Sequence, residues 1–385
     1  MVARVASYRG CVSRTRDQDA CPGALHVHQA ADGALARLRL PGGMITAGQL
    51  EALAEAAERL GAGTLELTAR GNVQIRGITD PAAVAEQVAA AGLLPSATHE
   101  RVRNIVASPL SGRVGGRADI RPWVHELDSA IQAEPQLAEL PGRFLFSLDD
   151  GGGDVSGLAA DAGIHVLSDA DGAAVLLAGR DTGVRVASSE SVPTLITVAR
   201  RFVKERGNAW RVAELDDPDV LLGDATPVVP AGGRFTTTRP PVGWIEQAGD
   251  GSGEDRVTLG AVVPLGVLNS RQARFVAAIG APMVITPWRS LLICDLDPGV
   301  ADTALRVLAP LGLVFDETSR WLDVTACVGS PGCARSRADV RAEATRHAES
   351  GTGTGAVHYV GCERACGRPA AAQVMVAEDG GYRRT

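Results

Sequence analysis

The decisive stretch reads ACVGSPGCARS over residues 326–336 and, after an intervening run, YVGCERACGRP over residues 359–369. Five residues separate Cys327 from Cys333, three separate Cys362 from Cys366, and 28 lie between the pairs. Four of the seven cysteines thus sit in two loops that can present two thiolates each to one object. Four thiolates suit a tetrahedral zinc or a [4Fe-4S] cube, since both need soft, deprotonated ligands. Structural zinc takes its cysteines from knuckles with roughly two to four residues between ligands, so the wider first gap favours the cube. Gly329, Gly332, Gly361 and Gly367 lie beside the cysteines, where a missing side chain lets backbone N–H groups approach cluster sulfur. A pair of disulfides is a third reading, disfavoured because nothing in the chain looks secreted.

Outward from these loops, composition limits the classes of function. A chain of 385 residues has room for two or three domains with proper cores. Hydrophobic content of 45% and charged content of 22% are those of a soluble globular protein. The net charge of -7 argues against a nucleic-acid partner, whose phosphates demand a basic face, so any anionic ligand must be held by local arginines. The start MVARVASYRG carries no signal-peptide run, and no segment offers about 20 uninterrupted apolar residues for a membrane span. A cytoplasmic protein with reduced thiols is expected, leaving Cys11, Cys21 and Cys294 as free thiols.

In chain order, residues 1–20 read as a loose polar arm. ALARLRL (34–40) reads as a strand ended by Pro41, Gly42 and Gly43. TAGQLEALAEAAERLGAG reads as a helix, with Thr46 as N-cap, Leu50, Leu53, Ala57 and Leu60 at helical spacing, and Gly61 as its stop. TLELTA and NVQIRGI supply two more strands around the turn at Arg70 to Asn72. The order strand, helix and paired strands returns over residues 257–296 in VTLGAVVPLG, SRQARFVAAIGA and MVITPWRSLLICDL, with Thr286 and Arg289 echoing Thr68 and Arg70 one residue out of register. This pattern predicts an ancient duplication. The expected divisions are a first small half-unit over 18–80, a first α/β domain over 81–207, a Pro/Gly/Asp-rich linker over 208–255, a second half-unit over 256–300 and the cysteine domain over 301–385.

Arg101 to Arg121 holds five arginines against one acid, Asp119, in a Gly-rich loop. Guanidinium groups bind carboxylates as bidentate forks, so the loop is a candidate for a polycarboxylate ligand; a solvated surface loop is the plainer reading. His26 and His28 alternate along a strand-like entry. Two histidines with no nearby carboxylate suit a metal or simply the surface. No Ser-His-Asp arrangement, phosphate loop or dinucleotide fingerprint is present.

The C-x5-C and C-x3-C pairs resemble the cluster motif of the sulfite and nitrite reductase family. CPGALHVHQAADGALARLRLPGG (21–43) and LELTARGNVQIRGI (65–78) are similar, more narrowly, to its cobalamin-pathway members. The resemblance spans almost the whole chain. It implies an α+β fold: two duplicated ferredoxin-like half-units packed about a pseudo-twofold axis, plus two α/β nitrite/sulfite-reductase-like domains. It also implies a [4Fe-4S] cluster on Cys327, Cys333, Cys362 and Cys366, with Cys366 as the family's bridge to a siroheme iron. For the cobalamin branch it implies an O2-dependent oxidoreductase acting on the tetrapyrrole precorrin-3A, with an NADH-linked or ferredoxin-type electron donor. A mononuclear non-haem iron accompanies that branch, with His26 and His28 as candidate ligands. Arg70, Arg103 and Arg143 become candidate catalytic residues, and Arg70, Asn72, Gln74, Arg103, Arg113 and Arg117 candidate substrate-binding residues. One departure stands out. Where the reductases carry two lysines after a Leu-Pro turn, LPGRFLFSLDD has Arg143 and Leu145, and losing one cation disfavours sulfite or nitrite as substrate. A siroheme-dependent sulfite or nitrite reductase is the alternative, and an electron carrier or redox sensor a third.

Overall fold

A computed structural model of the chain describes residues 19–167, 172–233, 235, 239–247, 255–369 and 371–385. Most of the expected N-terminal arm, and Cys11 with it, lies outside the described residues.

The two half-units share one design. In the first, strand Gly33–Leu38 runs into a Pro41–Gly43 turn, a short strand Met44–Ile45, helix Ala47–Leu60 and strands Thr64–Leu67 and Val73–Ile78. In the second, strand Val257–Val262 is followed by a Pro264–Gly266 turn, strand Val267–Asn269, helix Ser270–Ala277 and strands Met283–Ile285 and Ser290–Leu296. Both helices open on a reciprocal cap. Thr46 accepts from the Gln49 N–H while Gln49 reaches back, and Asn269 does the same with Gln272.

The short strands change partners. Met44–Ile45 leaves the first half-unit to pair with Met283–Ile285 of the second, and Val267–Asn269 pairs with Thr64–Leu67 of the first. Each five-stranded sheet is therefore finished by a strand from the other half-unit. Gly43 makes the crossing possible: its φ is +71°, and a Cβ there would run into the Ile285 carbonyl oxygen. The helices pack together over a single core in which Leu50, Leu53, Leu65 and Ile75 meet Leu259, Leu268, Val276 and Ile293. At about 2 kcal/mol per fully buried Leu or Ile, that core holds the halves as one body.

The structure corrects the register of the duplication. Thr68 and Thr286 do correspond, since their N–H groups donate to the carbonyls of Asn72 and Ser290 respectively, at 2.9 Å each. Counted from there, Arg70 matches Trp288 and Gly71 matches Arg289, whose φ values are +65° and +60°.

Residues 105–187 build a third sheet in which strands Ile105–Ala107, Phe146–Asp149 and Ala162–Val166 run parallel. Helices Arg121–Ala133 and Ser191–Glu205 pack together beside it, around Phe144, Phe146 and Phe202. The segment expected as a linker is partly structured. Val212, Leu221 and Leu222 join this core, and Gly243–Glu246 pairs with Val257–Val262 as an edge strand. The last domain carries parallel strands Val324–Ala326, Val357–Val360 and Gln373–Glu378, closed by antiparallel Gly381–Arg384, with helix Val340–Glu349 packed against the first two. Among the described residues, no helix is long and apolar enough to cross a membrane.

Candidate functional site

The cysteine loops follow the carboxyl ends of two neighbouring parallel strands, Cys327 after Val324–Ala326 and Cys362 after Val357–Val360. Gly361 links them. Its N–H approaches Cys327 Sγ at 3.4 Å, and it has no room for a side chain against Ser336. Burial raises the Cys366 thiol above its ordinary value; Arg364 opposes this, and the nearby sulfurs of Cys327, Cys362 and Cys333 reinforce it. The four sulfurs thus lie within electrostatic reach of one another. Among the described residues, no three of them come within 4.8 Å of one another.

Both half-units hold these loops. The Arg76 fork grips Asp32 at 2.9 Å and donates to the Gly332 carbonyl at 2.8 Å, one residue before Cys333. Arg289 donates to the Gly367 carbonyl at 3.0 Å, one residue after Cys366. His358, fully buried, places Nε2 3.0 Å from the Cys366 carbonyl oxygen and Nδ1 2.8 Å from the Thr325 hydroxyl. Burial holds its pKa down to about 4, so the ring is neutral at ordinary pH.

Beside the cysteines, a row of polar side chains crosses the first half-unit's sheet. Arg37, Gln74 and Glu66 stand on adjacent strands in register. Arg37 donates to Gln74 Oε1 at 3.0 Å, Gln74 donates to Glu66, and Arg341, from the helix of the cysteine domain, closes on the same carboxylate. The Nε atoms of Arg37 and Arg341 are buried without a hydrogen-bond partner. Around them stand further charges. Arg37 feels Cys21, Asp19, Glu66 and Arg143; Arg70 feels Arg211, Cys21, Asp161 and Arg37; Arg289 feels Glu66 and Arg341. Their recessed positions lower all three guanidinium pKa values, Arg70 to about 10, with burial the largest cause and Arg211 next for Arg70. The result is a cluster of recessed arginines drawn from the two half-units, the α/β domain and the cysteine domain.

The predicted residues divide. Arg70 belongs to this cluster, with no hydrogen bond to its guanidinium among the described residues. Arg143 lies near Arg37, 3.3 Å from Asp19 and 5.0 Å from the Trp210 ring centre. Gln74 belongs to the polar row. Asn72 is a clasp: its buried amide accepts from the Leu40 N–H at 2.9 Å and donates to Asn104 at 3.1 Å, so it does not offer itself to a ligand. Arg103 forks onto Asp128 at 2.6 and 2.8 Å, and Arg113 onto Asp295 at 2.7 and 2.8 Å. Arg117 is exposed beside Asp150. The arginine-rich loop thus serves mainly to fasten elements together, contrary to its reading as a carboxylate binder. His26 is largely exposed and pairs with Glu100 at 2.9 Å, and His28 is exposed; among the described residues neither belongs to a group of three ligand atoms within 4.8 Å of one another. Sequence reading missed Arg37, Glu66, Arg289 and Arg341 as partners. The alternation in ALARLRL and TLELTA carried the signal for Arg37 and Glu66; nothing local carried it for the other two.

The pseudo-twofold axis gives this row a mate. Gly260, Leu292, Val284 and Met44 occupy the positions of Arg37, Gln74, Glu66 and Val267. There the row is apolar: Leu292, Val284 and Met44 pack with Cys294 and Leu110. Cys294 matches Arg76, and burial raises its thiol to about 11. A cavity of about 500 Å3 adjoins this face, lined by Met44, Val284 and Met283 together with the paired Arg103 and Arg113. Its Arg103 and Arg113 are paired with Asp128 and Asp295, whereas its buried Arg39 donates to the carbonyls of Arg101, Arg37 and Pro22.

Comparison with known proteins agrees with this architecture. Residues 26–89 match the nitrite/sulfite reductase ferredoxin-like half domain. The chain is 28% identical to a precorrin-3B synthase of a Sinorhizobium species over 97% of its own length and 83% of that protein's. Ferredoxin-nitrite reductases of Leptolyngbya laminosa and Zea mays are 34% and 36% identical, but each match covers only 28% of this chain and 23% or 21% of the reductase. The solved structure of the Mycobacterium tuberculosis NirA protein has the same fold, with a TM-score of 0.73 at 19% identity, covering 91% of this chain and 73% of that one. The chain thus matches the nitrite/sulfite reductase ferredoxin-like half domain over residues 26–89, shares the fold of the NirA protein, and is similar over nearly its whole length to a precorrin-3B synthase.

Proposed function

We propose that the protein is a precorrin-3B synthase: a monooxygenase that uses O2 to hydroxylate precorrin-3A and close a lactone, in aerobic cobalamin synthesis. The observation that carries this reading is the cluster of recessed arginines, in which the Nε groups of Arg37 and of Arg341, on the cysteine domain's own helix, are buried without partners. A precorrin is a flexible tetrapyrrole ringed with carboxylates, and forked guanidinium donors match those groups in charge and shape. The near-full-length match to the Sinorhizobium synthase supports the same reading.

The roles follow from position. Arg37, Arg70, Arg143 and Arg289 bind and orient substrate carboxylates. Arg103 and Arg113 hold the walls. Leu145, where a reductase would need its second cation, is buried in apolar surroundings, which favours a tetrapyrrole substrate over a small anion such as sulfite. Cys327, Cys333, Cys362 and Cys366 would hold a [4Fe-4S] cluster, whose chemistry when bound is one-electron transfer. Electrons would come from an NADH-linked or ferredoxin-type donor. Neutral His358 and the Arg76 and Arg289 forks keep the cysteine loops in place.

The test is turnover of precorrin-3A by cluster-loaded protein under labelled O2 with a reductant. The expected product gains one labelled oxygen atom. Cys362→Ser should lose the cluster and that product together, and full turnover by this variant would refute the assignment.

A further inference from the structure

The cavity of about 500 Å3 beside Met44 and Val284 is lined by residues of both half-units and of the α/β domain; among the described residues, none comes from the cysteine domain. It is therefore a different place from the loops of Cys327, Cys333, Cys362 and Cys366. Its size falls in the range of about 300–1,000 Å3 that small-molecule sites occupy. The wall is largely apolar, with Leu40, Met44, Ile45, Leu93, Met283 and Val284. The two thioethers let that wall adapt to the shape of a ligand.

The charges in this wall do not balance. Arg39, Arg103 and Arg113 line the cavity against Asp128. Asp128 matches Arg103, and Asp295 matches Arg113. Arg39, only 2% exposed, has no carboxylate partner among the described residues; it donates at 3.2, 3.3 and 3.5 Å to the carbonyls of Arg101, Pro22 and Arg37. A guanidinium has more N–H groups than these bonds use. Burial first and Arg37 next lower its pKa to about 9, with Cys21 opposing, so the group stays charged at neutral pH. A buried charge without a counter-ion is unfavourable, and a bound anion relieves it. A ligand ringed with carboxylates would leave all but one of them facing apolar side chains, so the charge count selects a single anionic group.

We propose that this cavity is a binding site for a compact apolar monocarboxylate, with the carboxylate on Arg39 and the apolar body against Met44, Met283 and Val284. The site is distinct from the arginine cluster assigned to the substrate, and it stands whether or not that assignment does. Because both half-units and the α/β domain contribute to the wall, the ligand holds all three in their native arrangement. Binding to the folded form alone also raises the melting temperature.

The experiment titrates the full-length protein by calorimetry with naphthoate, an apolar monocarboxylate, and with naphthamide, its uncharged counterpart. One equivalent of naphthoate should bind, at least about tenfold more tightly than naphthamide, or ~1.4 kcal/mol. Arg39→Met should bind the two probes alike, and Arg39→Lys should keep the preference. Ala281→Trp, at a lining position, fills the cavity and leaves Arg39 in place, so it should bind neither probe. Uroporphyrin, a polycarboxylate tetrapyrrole directed at the arginine cluster, should leave naphthoate bound. Absent naphthoate binding, equal affinity of the two probes for wild type, or naphthoate binding that survives Ala281→Trp overturns the proposal. Displacement by uroporphyrin assigns naphthoate to the arginine cluster and overturns it as well. Thermal melts verify that each variant is folded; where one is not, the probe pair and the competition on wild type still decide.

Discussion

At the scale of single residues, partnership decides which arginines can meet a ligand. Arg103, Arg113 and Arg121 spend their forks on Asp128, Asp295 and Asp119, whereas Arg70 keeps its donors and Arg37 and Arg341 each keep a buried, unpaired Nε. Arg70→Gln should weaken binding of a polycarboxylate tetrapyrrole about tenfold, or ~1.4 kcal/mol, while Arg117→Gln, on the surface, should leave it within error. Fluorescence titration with uroporphyrin checks the pair; equal losses would remove the arginine cluster's claim. The two cysteine loops stand out in the sequence because spacing is a local property. The arginines do not, because whether a guanidinium is free depends on a carboxylate that is distant in sequence: Arg113 and Asp295 are 182 positions apart, and Arg341 and Glu66 are 275 positions apart.

At the scale of elements, the helices and longer strands follow from periodicity and caps, as in Ala47–Leu60 with its Thr46 and Gln49 box. The two short exchanged strands, Met44–Ile45 and Val267–Asn269, were invisible because two or three residues carry no period and their partners lie in the other half-unit. Gly43 is the crossing's most constrained point. Gly43→Ala should cost on the order of 2–4 kcal/mol and lower the melting temperature, through both its φ and its collision with Ile285. A second element-scale test lies in the loop after Phe146–Asp149. Asp149 accepts from the N–H groups of Gly151, Gly153, Val155 and Ser156, which with the His165 contact holds its pKa down to about 2 despite burial. Asp154 goes the other way, pushed up to about 7 by burial first and by Asp149 and Asp150 next, with the Ser108 hydroxyl opposing. A raised carboxyl contributes stability that is complete below its unfolded pKa near 4 and is lost as pH rises through 7. Asp154→Asn should therefore be more stable than wild type at pH 8, by about 1–3 kcal/mol, with the advantage shrinking towards pH 5. Denaturation at the two pH values checks this; an advantage that grows on acidification would contradict it.

At the scale of the whole molecule, duplication has produced two similar faces with different fates. One carries Arg37, Gln74 and Glu66 and turns towards the cysteine domain. The other carries Gly260, Leu292 and Val284, is apolar and adjoins the cavity lined by Met44, Met283 and Val284. Because each sheet borrows a strand and both helices share one core, the half-units should melt in a single calorimetric transition; two separable transitions would contradict the interlock. The most direct test of the central claim is the content of iron, acid-labile sulfide and extractable tetrapyrrole in protein purified without oxygen. Iron and sulfide in the ratio of a [4Fe-4S] cluster, without tightly bound tetrapyrrole, is the predicted result. Stoichiometric siroheme would instead point to a reductase, and zinc in place of iron and sulfide would contradict the reading of the four cysteines.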